Sequence, residues 1–198
     1  MEREIRGGVP ADIRAEDDGI TVSGYAVVFG ERADIAGLFV EVIERGALDG
    51  VLQKSDVEFL VNHRGEPLAR TQSGTLKLTV DEKGLRMETV LDPTDPDVQR
   101  IVPKMKRGDM NKMSFAFRMD GGLQEWDDAQ DPPVRTIKKF GRIEDVSIVS
   151  HPAYEGTDIG LRSLAKHREQ SRREQNFHAA QKRVRMKMDL ALRERENG

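Results

Sequence analysis

The chain holds 198 residues with 32 Lys and Arg against 35 Asp and Glu, a formal net charge of -3, and its mean hydropathy of -0.61 is polar for a chain that packs throughout. It has no cysteine, which excludes disulfides, thiol catalysis and zinc-thiolate sites together. No apolar run approaches the roughly 18 residues that span a bilayer and no apolar leader opens the chain, so a soluble intracellular protein with no membrane partner is expected.

Short alternating runs dominate from about Glu4 to Val149. Ile20 to Phe29 reads as a strand opened by the turn pair Asp18-Gly19. Ile43 to Gln53 has an apolar helical face but contains two glycines. Val57 to Val61 is a short apolar strand that delivers Asn62, His63 and Arg64 at its end. Thr75 to Val80 and Leu85 to Leu91 alternate on either side of Asp81-Glu82-Lys83-Gly84 and predict a hairpin. Asp95 to Arg107 predicts a helix: an Asp-Pro-Asp start, an apolar face of Val98, Ile101, Val102 and Met105, and a stop at Gly108. Pro103 should kink or shorten it. Further strands are expected at Lys112 to Met119, Val134 to Phe140 and Ile143 to Val149. Together these elements predict an α+β, mainly β fold, an antiparallel barrel or sandwich of short strands with covering helices.

The composition changes after residue 160. Residues 161–198 hold 11 Lys and Arg against 5 Asp and Glu, a balance of +6; the remaining 21 and 30 give residues 1–160 a balance of -9. Two parts are therefore expected, a folded domain at 1–160 and a charged tail at 161–198, either a solvated helix or a segment disordered until it meets a partner. The tail lacks interleaved aromatics, so nucleic acid is not an expected ligand.

Three segments could carry chemistry. His63 leaves a strand end directly, where a sheet can fix an imidazole while a loop keeps its edge open; a general base and a structural hydrogen-bonding histidine are both compatible with that position. Ser114 lies in Asn111-Lys112-Met113-Ser114-Phe115-Ala116-Phe117-Arg118, where alternation puts Ser114, Ala116 and Arg118 opposite a Met113, Phe115, Phe117 core stripe. Its hydroxyl is then either reachable on an open face or satisfied by backbone. Glu144 and Asp145 open the last strand, and alternation sends them to opposite faces, Asp145 with Ser147 and Val149. A salt bridge to a nearby basic residue would account for either. His151, before Pro152, suits a loop-shaping role, and His167 and His178 sit in the charged tail where exposed side chains are expected. There is no HExxH and no second histidine at ligand spacing from His63, so neither a metal nor another cofactor is expected.

The set Val61-Asn62-His63-Arg64, Met113-Ser114-Phe115-Ala116-Phe117 and Glu144-Asp145-Val146-Ser147-Ile148-Val149-Ser150-His151-Pro152-Ala153-Tyr154, with Gly24-Tyr25-Ala26-Val27-Val28-Phe29-Gly30-Glu31 ahead of them, resembles the caudoviral (HK97-type) prohead serine proteases, relatives of the herpesvirus assembly proteases. The resemblance runs from about Val22 to Tyr154 and leaves the tail beyond Leu161 uncovered. It implies a herpesvirus-protease-like barrel and a serine endopeptidase with Ser114 as nucleophile, His63 as general base and Asp145 as the residue orienting the imidazole. Glu144 is the alternative third member, since a one-residue change of register exchanges the two, and His151 is a weaker one. The resemblance assigns no oxyanion donors. It implies cleavage of the major capsid protein in its scaffolding region, and self-cleavage, inside the assembling procapsid in the host cytoplasm. The portal and further copies of the protease are additional expected partners. A capsid-assembly or scaffold-type protein without activity on the same fold is the competing reading. An unrelated β-barrel binding module is a third, and it would scatter Ser114, His63 and Asp145 in space.

Overall fold

A computed structural model describes residues 3–16, 19–150 and 156–196, with the backbone alone described at 9, 10, 12–16, 19, 156–160 and 187–196. Its strands in chain order are β1 (Glu4–Glu16), β2 (Gly19–Val28), β3 (Arg32–Ile35), β4 (Phe39–Ile43), β5 (Glu58–Val61), β6 (Arg64–Arg70), β7 (Leu76–Val80), β8 (Gly84–Leu91), β9 (Lys112–Arg118), β10 (Leu123–Asp127), β11 (Val134–Lys139) and β12 (Arg142–Val149). Helix α1 (Pro96–Lys106) separates β8 from β9, and α2 (Gly156–Glu196) follows β12. The fold is α+β and mainly β, as the alternating runs require.

Eight strands form one sheet in the order β6-β5-β12-β9-β1-β2-β8-β7, and four form another in the order β10-β11-β4-β3. Neither sheet closes on itself by hydrogen bonding among the described residues. Both are mixed, because β12 pairs with β5 in parallel and β11 pairs with β4 in parallel. The predicted hairpin is β7–β8, with Leu78 opposite Met87 and Asp81 closing the turn onto the amides of Lys83 and Gly84. Gly84 is required there: a Cβ on it would lie 1.9 Å from the Val27 carbonyl oxygen. Asp18 of the other expected turn pair lies outside the described residues.

Helix α1 starts as its sequence predicts. Asp95 is extended, and its carboxylate accepts from the Asp97 amide at 2.7 Å. Val98, Ile101, Val102 and Met105 are all buried, and Gly108 ends the helix with φ 83°. Pro103 is tolerated inside it. The helix expected over Ile43 to Gln53 does not form. Gly46 and Gly50 take φ of 87° and 69°, and the stretch runs as successive tight turns ending in a 3₁₀ turn at Leu52–Lys54. Its apolar residues Ala47, Leu48 and Val51 are nevertheless in the core. Apolar spacing there reported burial, while the glycines chose the backbone.

The main core lies under β9. Phe115, Phe117 and Phe140 meet at centroid distances of 5.4, 5.9 and 4.9 Å, joined by Met113, Ile143, Val146, Ile148 and the α1 face. Each fully buried side chain of this kind stabilises the fold by roughly 1.5–3 kcal/mol. Core packing on this face therefore fixes β9 and β12 firmly.

The residues fall into two units, Met1–Gly160 and Leu161–Gly198. Helix α2 adopts the helical alternative for the tail but begins at Gly156. Its described surface is charged, with Arg173 bonded to Glu169 one turn back at 2.5 Å, and Phe177, Val184 and Met186 exposed.

Candidate active site

His63 is delivered by an uncommon turn. Val61 of β5 pairs with Arg64 of β6, so Asn62 and His63 alone make the reversal. Their φ values are 51° and 59°, the signs of the primed hairpin turns that favour Asn-Gly. A histidine in the glycine position of such a turn costs roughly 1–2 kcal/mol. The turn is held in place by β12: the Asn62 amide donates to the Ile148 carbonyl at 3.0 Å, and the His63 amide to Ser147 Oγ at 3.2 Å. Beyond the turn the chain does not run on as an open loop but returns as β6, an edge strand where Pro67 is tolerated.

Ser114 and Asp145 come from neighbouring strands. In the β9–β12 ladder Ser114 pairs with Ser147 and Ala116 with Asp145. The register shifts between Ile143 and Asp145, a bulge at Glu144. Alternation alone would have separated the two carboxylates; with the bulge both reach Arg3, Glu144 at 3.5 Å and Asp145 in a close ion pair.

The resulting geometry is a hydrogen-bonded relay. Ser114 Oγ is 2.6 Å from His63 Nε2, and His63 Nδ1 is 2.7 Å from Asp145 Oδ1. Ser147 Oγ donates to the same Oδ1 at 2.8 Å while accepting from the His63 amide, so one side chain braces both partners. Glu144 is not at the ring: it bonds Arg118 at 2.6 Å and Arg142 at 2.7 Å. His151 lies outside the described residues, as does most of the segment that would follow β12. His167 and His178 lie on α2, the first half-buried and the second exposed. The tertiary fold thus brings Ser114, His63 and Asp145 together rather than scattering them.

Burial opposes the charge on Asp145, but the hydrogen bond and charge of His63, with the bonds from Ser147 and Arg3, outweigh it and hold the carboxyl below its ordinary range. An ionised Asp145 accepts from Nδ1–H, and in the neutral imidazole that tautomer leaves the Nε2 lone pair facing the serine hydroxyl. Among the described residues no group of three or more His, Asp and Glu could hold a metal ion.

Of the two readings open for the Ser114 hydroxyl, reachable on an open face or satisfied by backbone, the structure shows the second: the residue is 0% exposed. Strand β1 covers it, with Gly7 directly opposite and the Arg6 carbonyl accepting from Ser114 Oγ at 2.8 Å. A Cβ on Gly7 would lie 2.6 Å from the Ser114 Cβ.

A second polar cluster, unforeseen from sequence, lies beside the site. Glu4 and Arg6 of β1, Glu41 of β4 and Arg135 of β11 are all buried. Arg6 bonds Glu41 at 2.6 Å and Glu4 at 2.9 Å, while Arg135 bonds Glu4 at 2.5 Å and Glu41 at 3.0 Å. Burial alone would raise the Glu4 carboxyl, yet Arg135 and Arg6 hold it below the ordinary value.

A hydroxyl, an imidazole and a buried carboxylate bonded in that order are the constellation of serine hydrolases, which recurs on unrelated folds. The family profile described as caudovirus prohead serine protease matches residues 10–171, and the chain belongs to that family. The match reaches ten residues past Leu161, further than the resemblance read from motifs. No curated protein and no solved structure matches the chain. The protein is therefore a serine protease of capsid maturation, acting with capsid proteins inside the phage procapsid in the host cell.

Proposed function

We propose that the protein cuts the scaffolding region of the major capsid protein, and itself, with Ser114 as nucleophile, His63 as general base and Asp145 as the orienting carboxylate. The observation that carries this reading is the uninterrupted relay from Ser114 Oγ through the imidazole to Asp145. A serine hydroxyl is a weak nucleophile at neutral pH and needs a base to take its proton as it attacks. His63 Nε2 receives that proton, Oγ bonds to the scissile carbonyl carbon, and the imidazolium returns the proton to the leaving amine. Water then repeats the sequence to free the acyl group. Asp145 holds the Nδ1–H tautomer and stabilises the imidazolium, and Ser147 keeps the carboxylate in register with the turn that carries His63.

The tail has a role in this reading. Its balance of +6 against -9 for the rest of the chain suits attachment to acidic scaffold segments, which would carry the protease into the shell. Removing residues 172–198, beyond the family match, should lower incorporation into procapsids while leaving proteolysis in solution intact.

Co-expression with the cognate capsid protein tests the assignment. The wild-type chain should shorten the capsid protein and Ser114→Ala should not. Processing that survives the substitution would remove Ser114 from the mechanism. Loss with neither variant cleaving would return the assembly protein without activity as the better reading.

A further inference from the structure

The cover over Ser114 has a construction of its own. Only residues 4–10 of β1 pair with β9; from Ala11 onward the strand pairs with β2 instead. The ladder shifts between Gly7 and Val9, and Gly8 takes φ 126°, which no other residue type adopts comfortably. The first half of β1 is thus a segment with one ladder partner and a bulge at its root. It lies along the edge of β9 on the side away from β12, with Gly7 at the level of Ser114.

This segment engages the site at three points. Its Arg6 carbonyl takes the Ser114 hydroxyl as a donor, in competition with His63 Nε2 for the same proton. Its Gly7 backbone lies against the Ser114 side chain so closely that no Cβ fits. Its Arg3 guanidinium occupies Oδ2 of Asp145, the oxygen that His63 leaves open. Glu4 and Arg6 fasten the segment from the other face through Glu41 and Arg135.

Acyl transfer requires a scissile carbonyl about 3–3.5 Å from Oγ, and that space is taken. A peptide must be extended to be cut, and an extended peptide gains most from an open strand edge, where main-chain hydrogen bonds supply affinity. Among the described residues the ladder neighbours of β9 are β12, which carries Asp145, and this half of β1. We propose that the edge of β9 held by Glu4–Gly7 is the docking edge for the extended segment of the capsid protein, and that the N-terminal strand fills it in the resting protease as an inhibitory stand-in. The inference rests on Ser114 being the nucleophile. Activity then requires residues 4–7 to leave β9, and the substrate competes with the enzyme's own N-terminus for one lane.

A reversible lock tests it. Ile5 and Ala116 are direct ladder partners in a chain without cysteine, at a spacing that a disulfide can bridge. In the full-length Ile5→Cys/Ala116→Cys variant, oxidation should slow cleavage of the capsid protein at least about tenfold, and reduction should restore it, because the lock removes the open population. A small fluorophosphonate should label Ser114 slowly in the oxidised form and faster once reduced. Glu4→Gln, which loosens the fastening without touching the relay, should raise the labelling rate by about threefold or more. A locked form that cleaves and labels as fast as the reduced form overturns the inference alone. Wild-type protein that cleaves while Ser114 is never labelled overturns the nucleophile assignment, and this inference with it.

Discussion

Two buried polar clusters lie on β1 and its neighbours, and they are built to opposite ends. Glu4, Arg6, Glu41 and Arg135 set two carboxylates against two guanidiniums, every one bonded to opposite charge, with Arg135 only 1% exposed. With each charge matched by its opposite, the cluster ties β1 to β4 and β11. The Ser114 relay has one carboxylate, one imidazole and one hydroxyl, with a single hydroxyl proton facing two acceptors. It is under-determined by one proton, which is what a proton-transferring site needs. Saturated charge makes a fastening; a hydroxyl proton shared between two acceptors suits the proton transfer proposed for the relay.

The strongest way to break the comparison is to empty the reactive cluster. Ser114→Ala and His63→Ala should each lower capsid cleavage by about 10⁴-fold or more, and in Ser114→Ala the thermal midpoint should stay near that of the wild type. Asp145→Asn should cost about 10²–10⁴-fold, since the carboxylate selects the tautomer. Glu144→Gln, one residue away, should stay within about threefold, because its partners are surface arginines. Equal losses from the two would mean that the bulge does not hold in solution.

Emptying the saturated cluster should act on stability instead. Arg135→Met leaves Glu4 and Glu41 short of a partner and should destabilise the fold by about 3–5 kcal/mol in denaturant titrations, with residual folded protein still able to cleave. Gly7→Ala introduces a Cβ 2.7 Å from Ser114 Oγ. It should cost about 1–3 kcal/mol, and because it pushes the cover from Ser114 it should speed fluorophosphonate labelling.

The smallest effect is on pH dependence. The Asp145 carboxyl is held below its ordinary value of about 3.9. Its stabilising contribution is therefore fully present above that pH and is lost as pH falls through the depressed value of the folded state. Acid unfolding of Asp145→Asn should accordingly be shallower below about pH 4 than that of the wild type. Parallel acid limbs would show that Asp145 is not held ionised by His63, Ser147 and Arg3.

Much of this was legible in the sequence because it is local. Alternation assigned Phe115 and Phe117 to the core and Ser114 to the other face; the Asp-Pro-Asp start and Gly108 bounded α1; the Asp81–Gly84 turn set its hairpin. Ser147 also carried a signal, since alternation already placed it on the face of Asp145. The glycines at 46 and 50 were visible too, and they outweighed an apolar spacing that suggested a helix. Strand β1 was harder to read, because its Gly-Gly-Val-Pro centre marks a change of partner that only the two ladders define.

By itself the sequence determined the strand alphabet and, through its resemblance to a family, the enzyme class and a short set of candidates: Ser114, His63 and the neighbours Glu144 and Asp145. Tertiary structure alone decided which of the two adjacent carboxylates reaches the imidazole, because only the β5–β12–β9 ladder brings His63 and Ser114 beside Asp145. It alone placed the Arg6 carbonyl on Ser114, 108 residues away, and Arg135 on Glu4, 131 residues away. Periodicity reports the face a side chain takes, a property of neighbouring backbone; what waits on that face depends on which distant strand the ladder brings, and no local pattern encodes that.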